Sequence, residues 1–428
     1  MKTRIQLEPL RGFRDLLPPE SEKLSRLMQI FAEIASLHGY REIKPPTLER
    51  FEVFAIKSGE EIRKSMFVFK DKAGREVALR PEATASIARI YLKHLRGMTK
   101  PIRIFYIVNC FRYEEPQYAR YREFWQAGVE LLGEPSILGD VEVTKLLLNF
   151  YEKIGLISDI KLKLGTTKLY RTLFNSYNID EEIQDRVLHY MDKKMYEKAL
   201  ELLGKNSQLA NILKELWEEP SNIERAKTLL TNVDSNAMVA IEELEFMMNV
   251  LKNYKPNLTI ELDLSFARGL AYYTGIIFEV IIPGFPVSIA GGGRYDNLVK
   301  IYGGEDVPGT GFAIGLDRTL AALEYLGKDG VLEQPAKINV AIILLSREAM
   351  HFALKTQDIL AARRIPSLII YPRKLSKILP KLSEQGFTHA IIIGDREVRT
   401  GLVTIRDLTT RSQTEVSIDS LPERVKII

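Results

Sequence analysis

The chain has 428 residues, of which 46% are hydrophobic, 27% charged and 9% aromatic. This composition is typical of a globular protein and excludes wholesale disorder, and the length predicts about two to three domains. The net charge of +4 is too small to indicate a nucleic-acid-binding protein by itself. However, residues 338–428 carry 14 basic and 9 acidic side chains, so the basic excess lies in the last fifth of the chain.

The cysteine and histidine content narrows the setting of the protein. Cys110 is the single cysteine and cannot form an intramolecular disulfide, which predicts a reducing, cytoplasmic location. No apolar run is long enough for a membrane span and no signal peptide is recognisable, so no membrane association is expected. The five histidines lack the paired spacings of a metal site, and no protein-bound metal is predicted.

The first hundred residues predict a helix, an edge and a strand-to-helix junction. Residues 24–37 place apolar side chains at helical spacing and predict a core-facing helix. The prolines at 45 and 46 confine any strand there to a sheet edge. Residues 76–80 predict a strand, and Pro81 can open the next helix because proline is tolerated at the first helical position. Glu82 and Thr84 then lie at the junction.

The middle of the chain alternates between strand and helix patterns. Residues 103–115 and 122–133 predict an antiparallel pair of strands joined by a polar loop. Asp140 is expected to cap the following helix. From about 166 to 255, Leu, Glu, Lys and Asn dominate, which predicts a helical insertion.

Strand patterns resume after the insertion, and a last helix closes a first domain, 1–328. Short apolar runs that alternate with helical segments then predict a second domain, 338–428, with a parallel sheet covered by helices.

Charged residues at the ends of strands are the strongest chemical signal. The usual nucleotide-binding signatures GxxxxGK[ST] and GxGxxG are absent. Guanidinium groups can instead grip phosphate oxygens bidentately and stay charged. For any single arginine, surface ion pairing is the better interpretation, so only the whole set favours phosphate chemistry. The set comprises Arg112, Glu114, Arg120, Glu130, Arg268 and Arg318.

Other motifs are open to two interpretations. GGGRYDNL (291–298) lets the backbone approach a ligand, although alone it predicts a tight turn. RGLAYYTG (268–275) could bind a ligand or form a packed aromatic corner. Glu82 could receive an ammonium group or complement a helix dipole. Phe124 could stack on a purine or belong to the core.

Taken together, the segments resemble class II aminoacyl-tRNA synthetases, and most closely the histidyl-tRNA synthetase family. The resemblance spans nearly the whole chain. It is carried by GFRDLLPPE, YREIKPPTLE, LRPEATASIARIY, IFYIVNCFRYEEPQYARYREFWQAGVELLG and GTGFAIGLDRTLAAL, and above all by RGLAYYTG and GGGRYDNL, which are similar to the histidine-specific signatures.

The resemblance implies an α+β fold. A catalytic domain with an antiparallel six-stranded sheet and a helical insertion is followed by an α/β C-terminal anticodon-binding domain. It also implies a homodimer formed through the proline-bearing edge near Pro46. The implied reaction activates L-histidine with ATP and Mg²⁺, and then transfers histidine to tRNA(His).

The resemblance further implies the roles of individual residues. Arg112 and Arg268 would be catalytic, and magnesium is assigned no protein ligand. Histidine would be bound by Glu82, Ala83, Thr84, Arg112, Gln126, Glu130, Arg268, Tyr272 and Tyr273, and ATP by Arg112, Glu114, Arg120, Phe124 and Arg318.

One departure and two alternatives remain. Ala271 stands where the family often has Asp, which affects the positioning of Arg268 or of the imidazole. A catalytically silent relative that binds histidine and regulates another enzyme is one alternative, although such proteins typically lack the C-terminal domain and the arginine of this signature. A class II synthetase for another amino acid, such as threonine or proline, is the second.

Overall fold

The computed structural model describes residues 6–56, 64–205, 207–231, 233–267, 272–333, 340–371 and 375–425. The chain divides into two compact units, Met1–Leu332 and Glu333–Ile428. In the described part of the chain, no helix has the length and apolar character needed to cross a membrane.

The first unit is built on a large sheet. Its strands are β1 (Arg41–Glu42), β2 (Leu48–Arg50), β3 (Val68–Lys70), β4 (Glu76–Leu79), β5 (Ile102–Phe111), β6 (Glu123–Leu132), β7 (Lys161–Thr166), β8 (Thr259–Leu262), β9 (Ile276–Ile281), β10 (Ala290–Arg294) and β11 (Gly309–Gly315). Eight of them form one sheet in the order β1-β5-β6-β11-β10-β9-β7-β8, and β2-β4-β3 form a small second sheet.

The eight-stranded sheet differs in one respect from the six antiparallel strands that the family resemblance implied. Its six central strands are all antiparallel, from β5 to β7. The strands β1 and β8 extend the two edges and pair in parallel with β5 and β7. The edge position of the two-residue β1 agrees with the prolines that follow it.

Helices pack on this sheet and form the segment between β7 and β8. They are α1 (Glu20–Leu37), α2 (Phe51–Ala55), α3 (Thr84–Ile90), α4 (Ile137–Lys153), α5 (Thr167–Ser176), α6 (Glu181–Asp192), α7 (Tyr196–Leu203), α8 (Gln208–Glu218), α9 (Ile223–Leu230), α10 (Ser235–Tyr254), α11 (Leu298–Ile301) and α12 (Leu316–Tyr325), with a π-helical turn Tyr91–Leu95 after α3 and a 3₁₀ turn Asp329–Leu332 after α12. The helices α5–α10 lie in the stretch whose composition predicts helices.

The second unit has a mixed sheet in the order β13-β12-β14-β15-β16, with the first three strands parallel and the rest antiparallel. Its buried strands are continuous apolar runs, as expected when helices cover a parallel sheet. The elements are β12 (Val340–Leu344), α13 (Met350–Ala362), β13 (Ser367–Ile370), α14 (Leu375–Glu384), β14 (His389–Ile393), α15 (Asp395–Thr400), β15 (Leu402–Asp407), β16 (Gln413–Ser417), a 3₁₀ turn Ile418–Ser420 and α16 (Leu421–Arg424).

Two predictions about helix starts are wrong. Ser136, not Asp140, precedes the first residue of α4. Asp140 lies inside this helix, fully buried, and pairs with Arg294 of β10 at 2.7 Å. Pro81 does not open α3, which begins at Thr84.

Additional hydrogen bonds satisfy both partners of the ion pair between Arg294 and Asp140. Arg294 also donates to the backbone oxygens of Glu134 and Ser136, and Thr310 donates its hydroxyl to the second Asp140 oxygen at 2.8 Å. A buried charge is tolerated when it is paired and its remaining hydrogen-bonding groups are satisfied. This cluster therefore fastens α4 to β10 and β11.

Replacing Arg294 with Ala should lower the free energy of unfolding by about 3–5 kcal/mol, because a buried carboxylate loses its partner. Both tryptophans, Trp125 and Trp217, lie in the first unit, so urea unfolding followed by tryptophan fluorescence reports on this unit. Lys205→Ala, which removes one end of an exposed pair with Glu201, should leave the transition where it is. Equal effects of the two substitutions would contradict the assignment.

Candidate active site

A cavity of about 970 Å³, counting its open mouth, lies on one face of the large sheet. Side chains alternate between the faces of a strand, so Phe124, Gln126 and Glu130 of β6 share this face. The neighbouring strands of the sheet contribute small residues to the same face, including Gly311 and Ala313 of β11. The cavity floor is therefore wide enough for a ligand beside the β6 side chains.

Gly311 is required by the approach of Glu130. The two residues are opposite each other in the β6–β11 pairing, and a Cβ atom at position 311 would lie 2.0 Å from Glu130 Oε2. Any side chain there would displace the carboxyl group, so the glycine makes room for it.

Glu130 is the most buried acidic group of the cavity, with 1% of its surface exposed. Thr84 Oγ1 donates to it at 2.8 Å, Tyr106 Oη lies 3.4 Å away, and the hydroxyl of Tyr295 donates to its other oxygen. Burial raises the pKa of Glu130 to about 8, although the hydrogen bonds from Tyr295 and Thr84 oppose that shift. This carboxyl group is hence poised between its two protonation states near neutral pH.

Glu82 lies at the start of α3. Its two oxygens accept the backbone N–H groups of Thr84 at 2.6 Å and Ala85 at 3.0 Å. Burial raises the pKa of Glu82 as well. Both interpretations of Glu82 thus have structural support, since it satisfies the free N–H groups of the helix and also lines the cavity.

Arginines occupy the other half of the cavity. Arg112 donates to the backbone oxygen of Pro81 at 2.9 Å and lies 5.4 Å from the centre of the Phe124 ring. Glu114 lies between Arg112 and Arg120, at 3.9 and 3.5 Å. Within the described part of the chain, the buried Nε of Arg120 has no hydrogen-bond partner and lies 3.5 Å from Glu114 Oε2, which is unusual for a buried donor. Arg318 donates to the backbone oxygen of Ser288 at 3.1 Å.

The structure brings most of the predicted site residues to this one cavity. Ala83 is the exception among the described residues, because it does not line the cavity and is buried in an apolar cluster that also contains Tyr272 and Tyr273. Arg268 and Ala271 lie outside the described residues. The predicted residues that line the cavity are Glu82, Thr84, Arg112, Glu114, Arg120, Phe124, Gln126, Glu130, Tyr272, Tyr273 and Arg318.

Sequence reasoning missed three tyrosines of the cavity, Tyr106, Tyr121 and Tyr295. Tyr295 lies within the GGGRYDNL motif, which alone predicted a turn, but residues 290–294 form a central strand of the sheet. The Tyr295 ring is 6.0 Å from that of Tyr272, which in turn lies 5.0 Å from Tyr273. Strand alternation could have indicated Tyr106, because it lies on the same face of β5 as Cys110.

An antiparallel sheet, with arginines on a hairpin loop and at the start of α12, defines the catalytic fold of a class II aminoacyl-tRNA synthetase. The family model for histidyl-tRNA synthetase matches residues 12–319, and that for an anticodon binding domain matches residues 339–427. The chain belongs to the histidyl-tRNA synthetase family.

Curated relatives and solved structures agree with this family. The chain is 40% identical over 428 residues to the histidine–tRNA ligase of Saccharolobus solfataricus, which covers 99% of both chains. It is 41% identical to that of Saccharolobus islandicus, over 98% of this chain and 99% of the relative. The crystal structure of histidyl-tRNA synthetase from Nostoc has a similar fold, with a TM-score of 0.77, 24% identity and 99% coverage of both chains. The fold class predicted from the sequence is confirmed.

Replacing Glu130 with Gln should alter how stability depends on pH. The ordinary pKa of 4.5 in the unfolded chain is raised to about 8 in the folded one, so the folded state binds more protons between these values. The free energy of unfolding contributed by Glu130 must therefore fall as pH rises from 4.5 through 8. Relative to Glu130→Gln, the wild-type protein should lose stability over this range in urea unfolding experiments.

Tyr295→Phe serves as the matched control, since it removes a hydrogen bond that lowers the pKa of Glu130. In its pH profile the decline should still begin near pH 4.5, the ordinary pKa, but should continue to a higher pH than in the wild type. Parallel profiles for Glu130→Gln and the wild type would show that Glu130 does not titrate in this range.

Proposed function

We propose that this cavity carries out both steps of histidine–tRNA ligation. The chain is a histidine–tRNA ligase by family, and its substrates are L-histidine, ATP and tRNA. The observation that supports the assignment within the cavity is its division into two halves. One half holds the buried, hydrogen-bonded Glu130, and the other holds Arg112, Arg120 and Arg318.

The half around Glu130 is suited to select histidine. Glu130 and Tyr273, with Tyr272 beside them, would bind the two imidazole nitrogens, and Glu82, Thr84 and Gln126 would hold the α-ammonium group. A site that hydrogen-bonds a substrate N–H strongly rejects analogues without one, because its own buried polar groups would be left unpaired. The hydroxyls of Tyr295 and Thr84 already fix the Glu130 carboxyl group for this contact.

The arginine half is suited to ATP. Arg112 would grip the α-phosphate and the histidine carboxylate, Phe124 would stack on adenine, and Arg120, Glu114 and Arg318 would position the triphosphate. Arg268 would approach the α-phosphate from the opposite side. Because the carboxylate is already a nucleophile, positioning and charge stabilisation account for most of the catalysis.

The two steps balance without an additional general acid or base. A histidine carboxylate oxygen bonds to the α-phosphorus, the bond to the bridging oxygen breaks, and pyrophosphate leaves. The terminal ribose 3′-hydroxyl of tRNA(His) then attacks the acyl carbon of histidyl-adenylate. AMP leaves with the electron pair of the anhydride bond, and the hydroxyl proton passes to a phosphate oxygen of the leaving AMP.

Magnesium would accompany ATP. Among the described residues, no three His, Cys, Asp or Glu side chains are grouped so that they could hold a metal ion. The magnesium ion would therefore be held chiefly by the phosphate oxygens of ATP and by water. The ion would neutralise charge on the departing pyrophosphate.

The remaining partners follow from surfaces outside the cavity. The small β2-β4-β3 sheet exposes Leu48 and Phe69 on one face, which supports a homodimer that covers this apolar face. The second unit, matched by the anticodon-binding model, has no acidic residue from 359 to 383, which suits an RNA phosphate backbone. The buried single cysteine suits a cytoplasmic location.

Pyrophosphate exchange into ATP, assayed with each of the twenty amino acids, should depend on histidine alone. Exchange with threonine or proline would identify a synthetase of another specificity. Histidine binding without exchange would instead indicate the regulatory alternative.

Arg112→Ala should lower kcat/KM for histidine-dependent exchange by about 100-fold or more, as expected when a donor to developing charge is lost. Arg96→Ala is the matched control, because Arg96 is exposed and pairs with Glu305 outside the cavity. Near-normal exchange by Arg112→Ala would exclude Arg112 from the chemistry.

A further inference from the structure

A short N-terminal segment, residues 11–14, lies against the hairpin loop 112–122, which carries Arg112 and Arg120. We call these the N-terminal strap and the arginine loop. The backbone N–H of Arg122 donates to the oxygen of Gly12 at 2.8 Å, and Nη1 of Arg122 donates to the oxygen of Arg11 at 3.2 Å. The strap is thus hydrogen-bonded to the end of the loop.

Gly12 permits this close approach. Its φ of +88° is in the region that favours glycine, and a Cβ atom there would lie 2.7 Å from Arg122 Cγ. The next residue, Phe13, packs edge-on against Phe67, which packs in the same way against Tyr113 of the loop. The strap therefore holds the loop through both its backbone and its rings.

Arg14 connects three elements. Its guanidinium lies 3.8 Å from the centre of the Tyr121 ring and forms ion pairs with Glu20 and Asp317. Asp317 is 4% exposed, and its other oxygen accepts the backbone N–H of Trp125 at 2.5 Å. Arg14 hence joins the arginine loop directly to the start of α12. Through Asp317, it also joins them to the start of β6.

Two of the residues that contact Arg14 are adjacent in sequence to arginines in the ATP half of the cavity. Tyr121 follows Arg120, and Asp317 precedes Arg318. A guanidinium plane that stacks on one ring and pairs with one buried carboxylate fixes both partners in orientation as well as position. Displacement of either partner would move the adjoining arginine.

We propose that Arg14 is a positioning residue for ATP, which it serves by holding Arg120 and Arg318 in register across the cavity. This inference rests on the proposed assignment of ATP to the arginine half. A purely structural role would lower stability and affect both substrates alike, whereas a positioning role affects ATP selectively.

The test compares Arg14→Ala, Arg14→Lys and Arg11→Ala in histidine-dependent pyrophosphate exchange. Arg14→Ala should raise KM for ATP by about 10-fold, the loss expected for one charged hydrogen-bond partner, and leave KM for histidine within about twofold. Arg14→Lys should recover part of the loss, because it keeps the charge beside Asp317 but not the planar stack on Tyr121. Arg11→Ala removes an exposed pair with Glu115 and should change neither constant.

Equilibrium binding of MgATP by calorimetry, without histidine or tRNA, supplies a second readout. A weaker affinity in Arg14→Ala supports the proposal even if the wild-type protein fails to exchange pyrophosphate, a result that would refute only the proposed function. Urea unfolding shows whether each variant is folded at the assay temperature. The proposal would be overturned if the wild type, Arg14→Lys and Arg14→Ala bound ATP with equal affinity. It would also be overturned if Arg14→Ala raised the KM for ATP and the KM for histidine equally.

Discussion

The buried ion pair of Arg294 and Asp140 fixes the strand on which the proposed recognition of histidine depends. Arg294 ends β10, and the next residue, Tyr295, donates its hydroxyl to Glu130. Since Asp140 belongs to α4, a helix that packs on the sheet sets where this hydroxyl lies. A charge pair of this kind adds little net stability compared with apolar packing, but the loss of one partner is costly. Its benefit here is a single, well-defined position for Tyr295.

A fixed position matters because Glu130 and Glu82 share a cavity with several arginines. Burial raises the pKa of both carboxyl groups, and the charge of Glu82 raises the pKa of Glu130 further. Hydrogen-bond donors already aimed at Glu130 remove the need to reorganise when a substrate enters. The cavity thus combines buried carboxyl groups with the guanidinium groups of Arg112, Arg120 and Arg318, which the proposed binding of histidine and ATP would use.

The family motifs allowed much of this site to be predicted from the sequence. Phe124, Gln126 and Glu130 share a face because they alternate along β6, and the motifs placed Arg112 and Arg318 at the ends of elements. The errors concern contacts between distant parts of the chain. Asp140 was expected to cap a helix because no local pattern reveals a partner 154 residues away. The parallel pairing of the edge strands β1 and β8 was not predicted for the same reason, since pairing direction is a property of the folded sheet.

The two halves of the cavity are held in different ways, which explains why a strap is needed on only one side. Glu130 and Gln126 lie in the middle of a ten-residue strand whose neighbours fix its register on both sides. Arg120 lies instead in a hairpin loop, where Ala119 has a positive φ and the pairing of Gln117 with Arg120 is an isolated bridge outside the strands. A loop of this kind opens at little free-energy cost unless other groups bind it. The contacts of Gly12, Phe13 and Arg14 supply that restraint, so the N-terminal residues hold the arginine half while the sheet itself holds the half around Glu130.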